Sequence, residues 1–205
     1  MFCYQFGVSG ILKVKMVICR QRNEHYRSRE YLTLAEVNRL IMAAELRGRH
    51  PIRDKALLLL MFRHGLRVSE AISLRWDAVM LELKAIGITR LKGSVSGTHP
   101  LQADEVESLR DLRAEGYPDP YLFVGERGGH LKRHAVTSLI NRCAELAQLG
   151  IKCHPHMLRH SCGYHLANQG LDTRLIQDWL GHRNIQHTVT YTMLNPKRFG
   201  EIQWG

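Results

Sequence analysis

The sequence predicts a mainly α-helical domain with a small antiparallel β-sheet, an α+β fold. Three observations predict it. Apolar residues keep helical spacing through most of the chain after about residue 30, Gly or Pro stands at the ends of those segments, and one pair of short β-branched runs flanks a glycine turn. At 205 residues the chain is long enough to bury a core without staples. Length and composition together suggest one domain, residues 31–205, preceded by a short and poorly ordered arm, residues 1–30.

Each element has a local reason. Thr33 followed by Glu36 is a capping box, and Leu34, Val37, Leu40, Ile41 and Ala44 continue at helical spacing, giving a helix over 33–47. His50-Pro51 breaks it, and a second helix runs through DKALLLLMFRH to Gly65, a good residue for a helix end. Its segment 57–62 is apolar on every side, which predicts a central, buried helix. A short third helix follows Val68-Ser69 and runs through 70–75. Residues 85–91 and 95–101 read as two strands of a hairpin around Lys92-Gly93-Ser94. An amphipathic helix over 103–114 is stopped by Gly116 and Pro118, and 121–124 is a further strand candidate, ended by Gly128-Gly129. Helices follow at 133–149, 156–169, 172–181 and 186–193.

Charge and cysteine usage narrow the function classes. The chain has 29 Lys and Arg against 19 Asp and Glu, a net charge of +10. Such a surplus favours a polyanionic partner, nucleic acid before an anionic membrane. Cys3, Cys19, Cys143, Cys153 and Cys162 are odd in number and contain no C-x-x-C pair, so they outline no disulfide framework and fit a reducing cytoplasm. No run reaches the roughly 20 apolar residues of a membrane span. The opening MFCYQFGVSGILKVKMVICRQR carries its charges after the apolar part, the reverse of a secretory signal. It reads either as an arm or as translation upstream of a true start at Met16.

The densest polar stretch is CHPHMLRHSCGYH, residues 153–165. On a helix His156 and Arg159 share a face, and that pair suits a phosphate: guanidinium grips two oxygens in a fork while imidazole moves a proton. Zinc is the rival for Cys153, His154, His156, His160, Cys162 and His165, but no second Cys/His cluster stands at structural-site spacing. The plain alternative is a helix with partly exposed histidines. In FRHGLRVSEAISLR, Arg67 follows a buried helix immediately, where a charge is costly unless paired or held for use, and Glu70 is placed to orient it. The alternative there is a structural Arg–Glu pair. His182 ends a helix in L-G-H, and Tyr191 follows nine residues later. A tyrosine hydroxyl becomes a nucleophile once its proton is drawn off or its anion is stabilised by cations. Taken alone, Tyr191 reads as a core tyrosine and Lys92 as a solvated lysine. Metal-hydrolase, EF-hand and nucleotide-hydrolysis motifs are lacking, so no cofactor or metal is expected.

In their order, Arg67 and Glu70 (R-x-x-E), Lys92, His156 and Arg159 (H-x-x-R), His182 (L-G-H) and Tyr191 resemble the catalytic domain of the tyrosine recombinases, the phage-integrase family, over about residues 31–200. The stretch HPHMLRHSCGYHLANQGLDTRLIQDWLGHRNIQHTVTYT further resembles the short fimbrial phase-variation invertases, which flip a promoter segment and lack most of a separate amino-terminal DNA-clamping domain.

The resemblance implies a site-specific DNA recombinase that needs neither metal nor ATP. Tyr191 would attack a scissile phosphate to give a 3′-phosphotyrosyl link and a free 5′-hydroxyl. Arg67 and Arg159 would clamp the non-bridging oxygens, Lys92 would protonate the leaving oxygen, and His156 would exchange a proton near the tyrosine. His182 would hydrogen-bond the phosphate, with Glu70 orienting Arg67. The implied partners are double-stranded DNA with inverted-repeat sites, three further copies of the chain in a homo-tetramer on DNA (monomer or dimer when free), and accessory DNA-bending proteins, with no membrane. The implied location is the bacterial cytoplasm, on the nucleoid when DNA is bound. Lys132, Arg133 and His134, at a helix entrance, are candidate DNA contacts, the alternative being a solvated helix start. Alternative functions are an integrase or excisionase of a mobile element, a non-catalytic DNA-binding regulator retaining the fold, and a nicking-closing topoisomerase.

Overall fold

The computed structural model describes residues 29–46, 48–91 and 94–193. Expectations for the arm over 1–28, for Lys92, and for the segment after Met193 lie outside the described residues. Within them the order is α1 (Leu34–Leu46), α2 (Pro51–Arg63), α3 (Val68–Ile72), β1 (Val79–Met80), β2 (Ala85–Ile88), β3 (Gly97–Pro100), α4 (Ala103–Ala114), α5 (Arg133–Leu146), α6 (Pro155–Asn168), α7 (Thr173–Leu180) and α8 (Gln186–Met193). This is the mainly helical fold with a small antiparallel sheet that the sequence predicts.

The apolar run of α2 is buried from Ala56 to Phe62. It packs against α1, α4 and α6, so one helix forms the axis of the domain. The α1 capping box is present: Thr33 N–H donates to Glu36 Oε2 at 2.8 Å and Glu36 N–H to Thr33 Oγ1 at 3.3 Å. α7 has a cap that the sequence reading passed over, Asp172 accepting from the amides of Arg174 and Leu175.

The sheet has order β1-β2-β3 and is antiparallel throughout, with Ile86 opposite His99 and Val79 opposite Ile86. Ile86 and Ile88 both turn into the core, as alternation requires. The hairpin strands are shorter than the 85–91 and 95–101 expected. Beyond Ile88 side chains take the backbone donors: Arg90 N–H goes to Ser96 Oγ at 2.9 Å and Leu91 N–H to Glu70 Oε1 at 3.3 Å. β1 was not foreseen, being two residues long.

Three further expectations are corrected. Residues 121–124 form no strand. They are an extended strap making isolated bridges, Tyr121 with Arg75 and Val124 with His130. α5 stops at Leu146 rather than 149, because Gln148 turns left-handed at φ 50° ahead of Gly150. The third helix closes at Ile72 instead of 75, with Ser73 as its end residue.

Candidate functional site

Two helix ends and one helix start meet where the predicted residues gather. Arg67 is the first flanking residue of α3, and Glu70 lies one turn on. The Glu70 carboxylate is 1% exposed and accepts four hydrogen bonds: Arg67 Nη1 at 2.6 Å, Arg67 N–H at 3.0 Å, Arg90 Nη1 at 3.0 Å and Leu91 N–H. Burial works to raise its pKa, but the Arg67 amide, the Arg67 guanidinium and Arg90 outweigh it and hold the carboxyl below its usual range. Arg67 also reaches Ser94 Oγ at 3.3 Å. Its guanidinium keeps partial exposure, 28%.

α6 supplies the opposite wall. Pro155 opens the helix in the position that tolerates a missing N–H. Arg159 points inward and is 1% exposed, donating through Nη1 to Gly65 O at 2.6 Å and through Nη2 to Leu180 O at 2.7 Å. Those are carbonyls at the ends of α2 and α7, groups with no partner inside their own helices. Burial, with Arg67 and Arg90 close by, lowers its pKa to about 10, Glu70 pulling the other way, so it stays charged at neutral pH.

Tyr191, on α8, is 3% exposed, and its ring lies against the α6 backbone. A Cβ placed on Gly163 would come within 2.6 Å of that ring, so only glycine permits the approach. Burial pushes the Tyr191 phenol up to about 12, with Arg159 and Arg67 opposing, so the phenol is protonated at rest and needs a proton acceptor to react. The acceptor in contact is His160, whose Nδ1 lies 2.9 Å from the hydroxyl. Burial, reinforced by His154 and Arg159 and opposed by Glu30, lowers the His160 pKa and favours the neutral ring. With its proton on Nε2, Nδ1 accepts from the tyrosine.

His156 sits one turn earlier on α6, its ring edge-on to His160 with centroids 4.5 Å apart. The residue is exposed, and partial desolvation, then His160 and Arg159, lower its pKa. The sequence reading put His156 beside the tyrosine; the structure puts His160 there and His156 beyond it. His182, just after α7, is buried, with Nδ1 2.9 Å from Thr188 Oγ1 and its ring stacked 6.3 Å from Tyr191. Burial, Arg159 and His187 push its pKa to about 3, so it is a neutral donor or acceptor. Arg67, Glu70, His156, Arg159, His182 and Tyr191 are thus brought together, with the Arg67 and Arg159 charges both acting on His182 and Tyr191.

Lys132, Arg133 and His134 are exposed together at the start of α5. The zinc alternative finds no arrangement: among the described residues no three His, Cys, Asp or Glu side chains are placed to share an ion, and Cys162 points its thiol at Arg63 O. Sequence reasoning missed Arg90, Gly163 and the contact of His160 with Tyr191. Only His160 carried a signal, its i, i+4 spacing from His156.

The profile of the phage integrase family matches residues 30–198, a span that contains every site residue named above. The chain belongs to that family. It is a tyrosine recombinase, an enzyme of the site-specific recombinase class. Among its relatives, the type 1 fimbriae regulatory protein FimB of Escherichia coli K12 is 45% identical over 178 residues, covering 84% of this chain and 88% of FimB. The type 1 fimbriae regulatory protein FimE of the same strain is 43% identical over 180 residues, covering 85% and 90%. The crystal structure of the XerH site-specific recombinase bound to its difH substrate, a pre-cleavage complex, superposes with a TM-score of 0.73 at 25% identity. That match covers 84% of this recombinase but 53% of the XerH chain. Among the described residues no helix is long and apolar enough to cross a membrane.

Proposed function

We propose that this recombinase inverts a promoter-bearing DNA segment between inverted-repeat sites, cutting and rejoining through a 3′-phosphotyrosyl link at Tyr191. The observation that carries the reading is the placement of the Tyr191 hydroxyl on His160 Nδ1, 2.9 Å away, in the cleft that holds Arg67 and Arg159. The kinship with two fimbriae regulatory proteins supports a switch as the biological outcome, and the XerH complex supports duplex DNA as the substrate.

In the proposed step, Tyr191 Oη attacks phosphorus and passes its proton to His160. The bond from phosphorus to the 5′ oxygen breaks, and that oxygen leaves as a hydroxyl with a proton that the family resemblance assigns to Lys92. Arg67 and Arg159 neutralise the charge growing on the non-bridging oxygens, a contribution worth roughly 10²–10³ in rate per donor. His182, with Nδ1 on Thr188, offers Nε2 to the phosphate, and His156 shares the anion. The ester keeps the phosphodiester energy, so a 5′-hydroxyl from the partner strand reverses the step and no ATP is needed. Four strand exchanges call for four protomers on two sites, with accessory DNA-bending proteins shaping the synapse on the nucleoid, in the bacterial cytoplasm. Lys132, Arg133 and His134 bind backbone phosphates at the entrance of α5.

The test is a nicked suicide duplex carrying the recombination site. A covalent protein–DNA adduct is expected with the intact chain and none with Tyr191→Phe; inversion by that variant overturns the assignment. Specific binding without adduct under any condition marks a non-catalytic regulator, and relaxation of site-free supercoiled DNA marks a topoisomerase. An inverted-repeat pair beside a promoter next to the gene supports inversion over integration.

A further inference from the structure

Beside Arg67 and Arg159 lies a third guanidinium, that of Arg90. Arg90, just past the end of β2, has a side chain 1% exposed. Its fork reaches four acceptors: Nη1 donates to Glu70 Oε2 at 3.0 Å and Gly65 O at 3.3 Å, Nη2 to His64 O at 2.8 Å and Trp179 O at 2.7 Å. These are the places on which the phosphate clamp is mounted. Gly65 O is shared with Arg159, Trp179 is the neighbour of Leu180 whose carbonyl holds Arg159, and Glu70 is the seat of Arg67.

Two helix C-termini, those of α2 and α7, therefore aim their unpaired carbonyls at one spot, and Arg90 and Arg159 satisfy them side by side. Two buried cations at such proximity repel; one carboxylate and the negative ends of two helices compensate. The packing is close: a Cβ on Gly181, which caps α7 at φ 68°, would come within 2.6 Å of Val95 O and 3.0 Å of Arg90 Cγ. The next strand is tied to the same corner, His99 lying against the Trp179 ring at 4.1 Å and its Nδ1 3.1 Å from His64 Nδ1.

We propose that Arg90 is a positioning residue for strand cleavage: by bonding Glu70 and the ends of α2 and α7 together, it sets the distance between the Arg67 and Arg159 guanidiniums. The role needs a planar fork. A lysine can supply charge to Glu70 but has no fork to reach the His64 and Trp179 carbonyls at the same time. The inference rests on the phosphotyrosyl reading above.

The test uses the full chain, Arg90→Lys and Arg90→Met, with two suicide duplexes, one ordinary and one bearing a methylphosphonate at the scissile position. The methylphosphonate lacks one anionic oxygen and depends less on a correctly spaced pair of guanidiniums. DNA affinity is expected within about threefold of the parent, with adduct formation on ordinary DNA slowed by roughly 10² in Arg90→Lys, comparable to loss of a donor. On the methylphosphonate the deficit is expected to shrink to less than about tenfold. A rate within about threefold of the parent on ordinary DNA, or the same deficit on both duplexes, overturns the proposal, since general structural damage does not distinguish the substrates. Should Arg90→Met fail to fold, Arg90→Lys, which keeps the buried charge, decides alone. A parent chain that forms no adduct on either duplex overturns the phosphotyrosyl reading, and this inference with it; a parent that does, beside an unaffected variant, overturns this inference alone.

Discussion

The α6 wall of the cleft holds Arg159 in a buried seat, bonded to carbonyls from two other helices, whereas the α2–α3 junction holds Arg67 at a partly open rim, bonded to Glu70 and Ser94. In the proposed step both guanidiniums have the same task on the phosphate. Their surroundings assign them different second tasks: Arg159 closes the backbone of α2 and α7, and Arg67 closes little beyond its own helix start. Chemistry and folding are thus fused at one arginine and separable at the other.

The sharpest way to break that contrast is to remove each in turn. Arg159→Ala is expected to abolish detectable adduct and also to destabilise the domain by about 2–4 kcal/mol, since buried carbonyls lose their donor. Arg67→Ala is expected to slow adduct formation by about 10²–10³ while costing about 1–2 kcal/mol, less than Arg159→Ala, because Arg90 still pairs the buried Glu70. Equal losses of stability in the two variants, read by urea unfolding, would erase the distinction. Gly163→Ala comes next. Its methyl must displace the Tyr191 ring, and a rate loss of about tenfold with about 1–3 kcal/mol of destabilisation is expected. Cleavage kinetics unchanged in that variant would show that α8 does not rest on α6 when DNA is bound.

The smallest effect is a pH dependence of stability. His99 is pushed to about 3 by burial, His64 and Arg90, and His182 to about 3 by burial, Arg159 and His187. Both values are depressed in the folded chain, so their contribution is complete above the ordinary value of 6.5 and is lost as pH falls from there toward 3. The urea midpoint is expected to drop between pH 7.5 and pH 5, and to drop less in His99→Gln. Glu70 has the same sign at a lower window: its depressed carboxyl stabilises fully above 4.5 and ceases to as pH falls below it.

What could be read from sequence was whatever depends on neighbours along the chain. The Thr33–Glu36 cap, the all-apolar α2 and the glycine-ended α4 and α7 are local signals, and each stands in the structure. Arg67, His156, Arg159, His182 and Tyr191 were also named together from the family resemblance, and they meet in the structure; Lys92 lies outside the described residues. What could not be read depends on chain segments meeting in space. Arg90 looks like an ordinary basic residue near a turn, and only the meeting of two helix ends makes it central. Gly163 looks like a helix defect until Tyr191 is laid on it. His160 was one of several histidines in a crowded stretch, and which of them reaches the phenol is decided by the angle at which α8 crosses α6. The strap at 121–124 misled because an apolar, aromatic run was taken for a ladder strand, when its partners on either side contribute one bridge each.

α6 presents His156, Arg159, His160 and Gly163 in little more than two turns, so the proposed proton acceptor, the buried cation and the glycine under the Tyr191 ring share one helical phase. Removing a single residue among them would swing everything downstream through about 100°, misaligning several reacting groups at once. The turn over residues 81–84 between β1 and β2, by contrast, carries none of the site residues named above. Insertions and deletions arising in descendants of this chain should therefore be purged from the first half of α6 and survive in that turn.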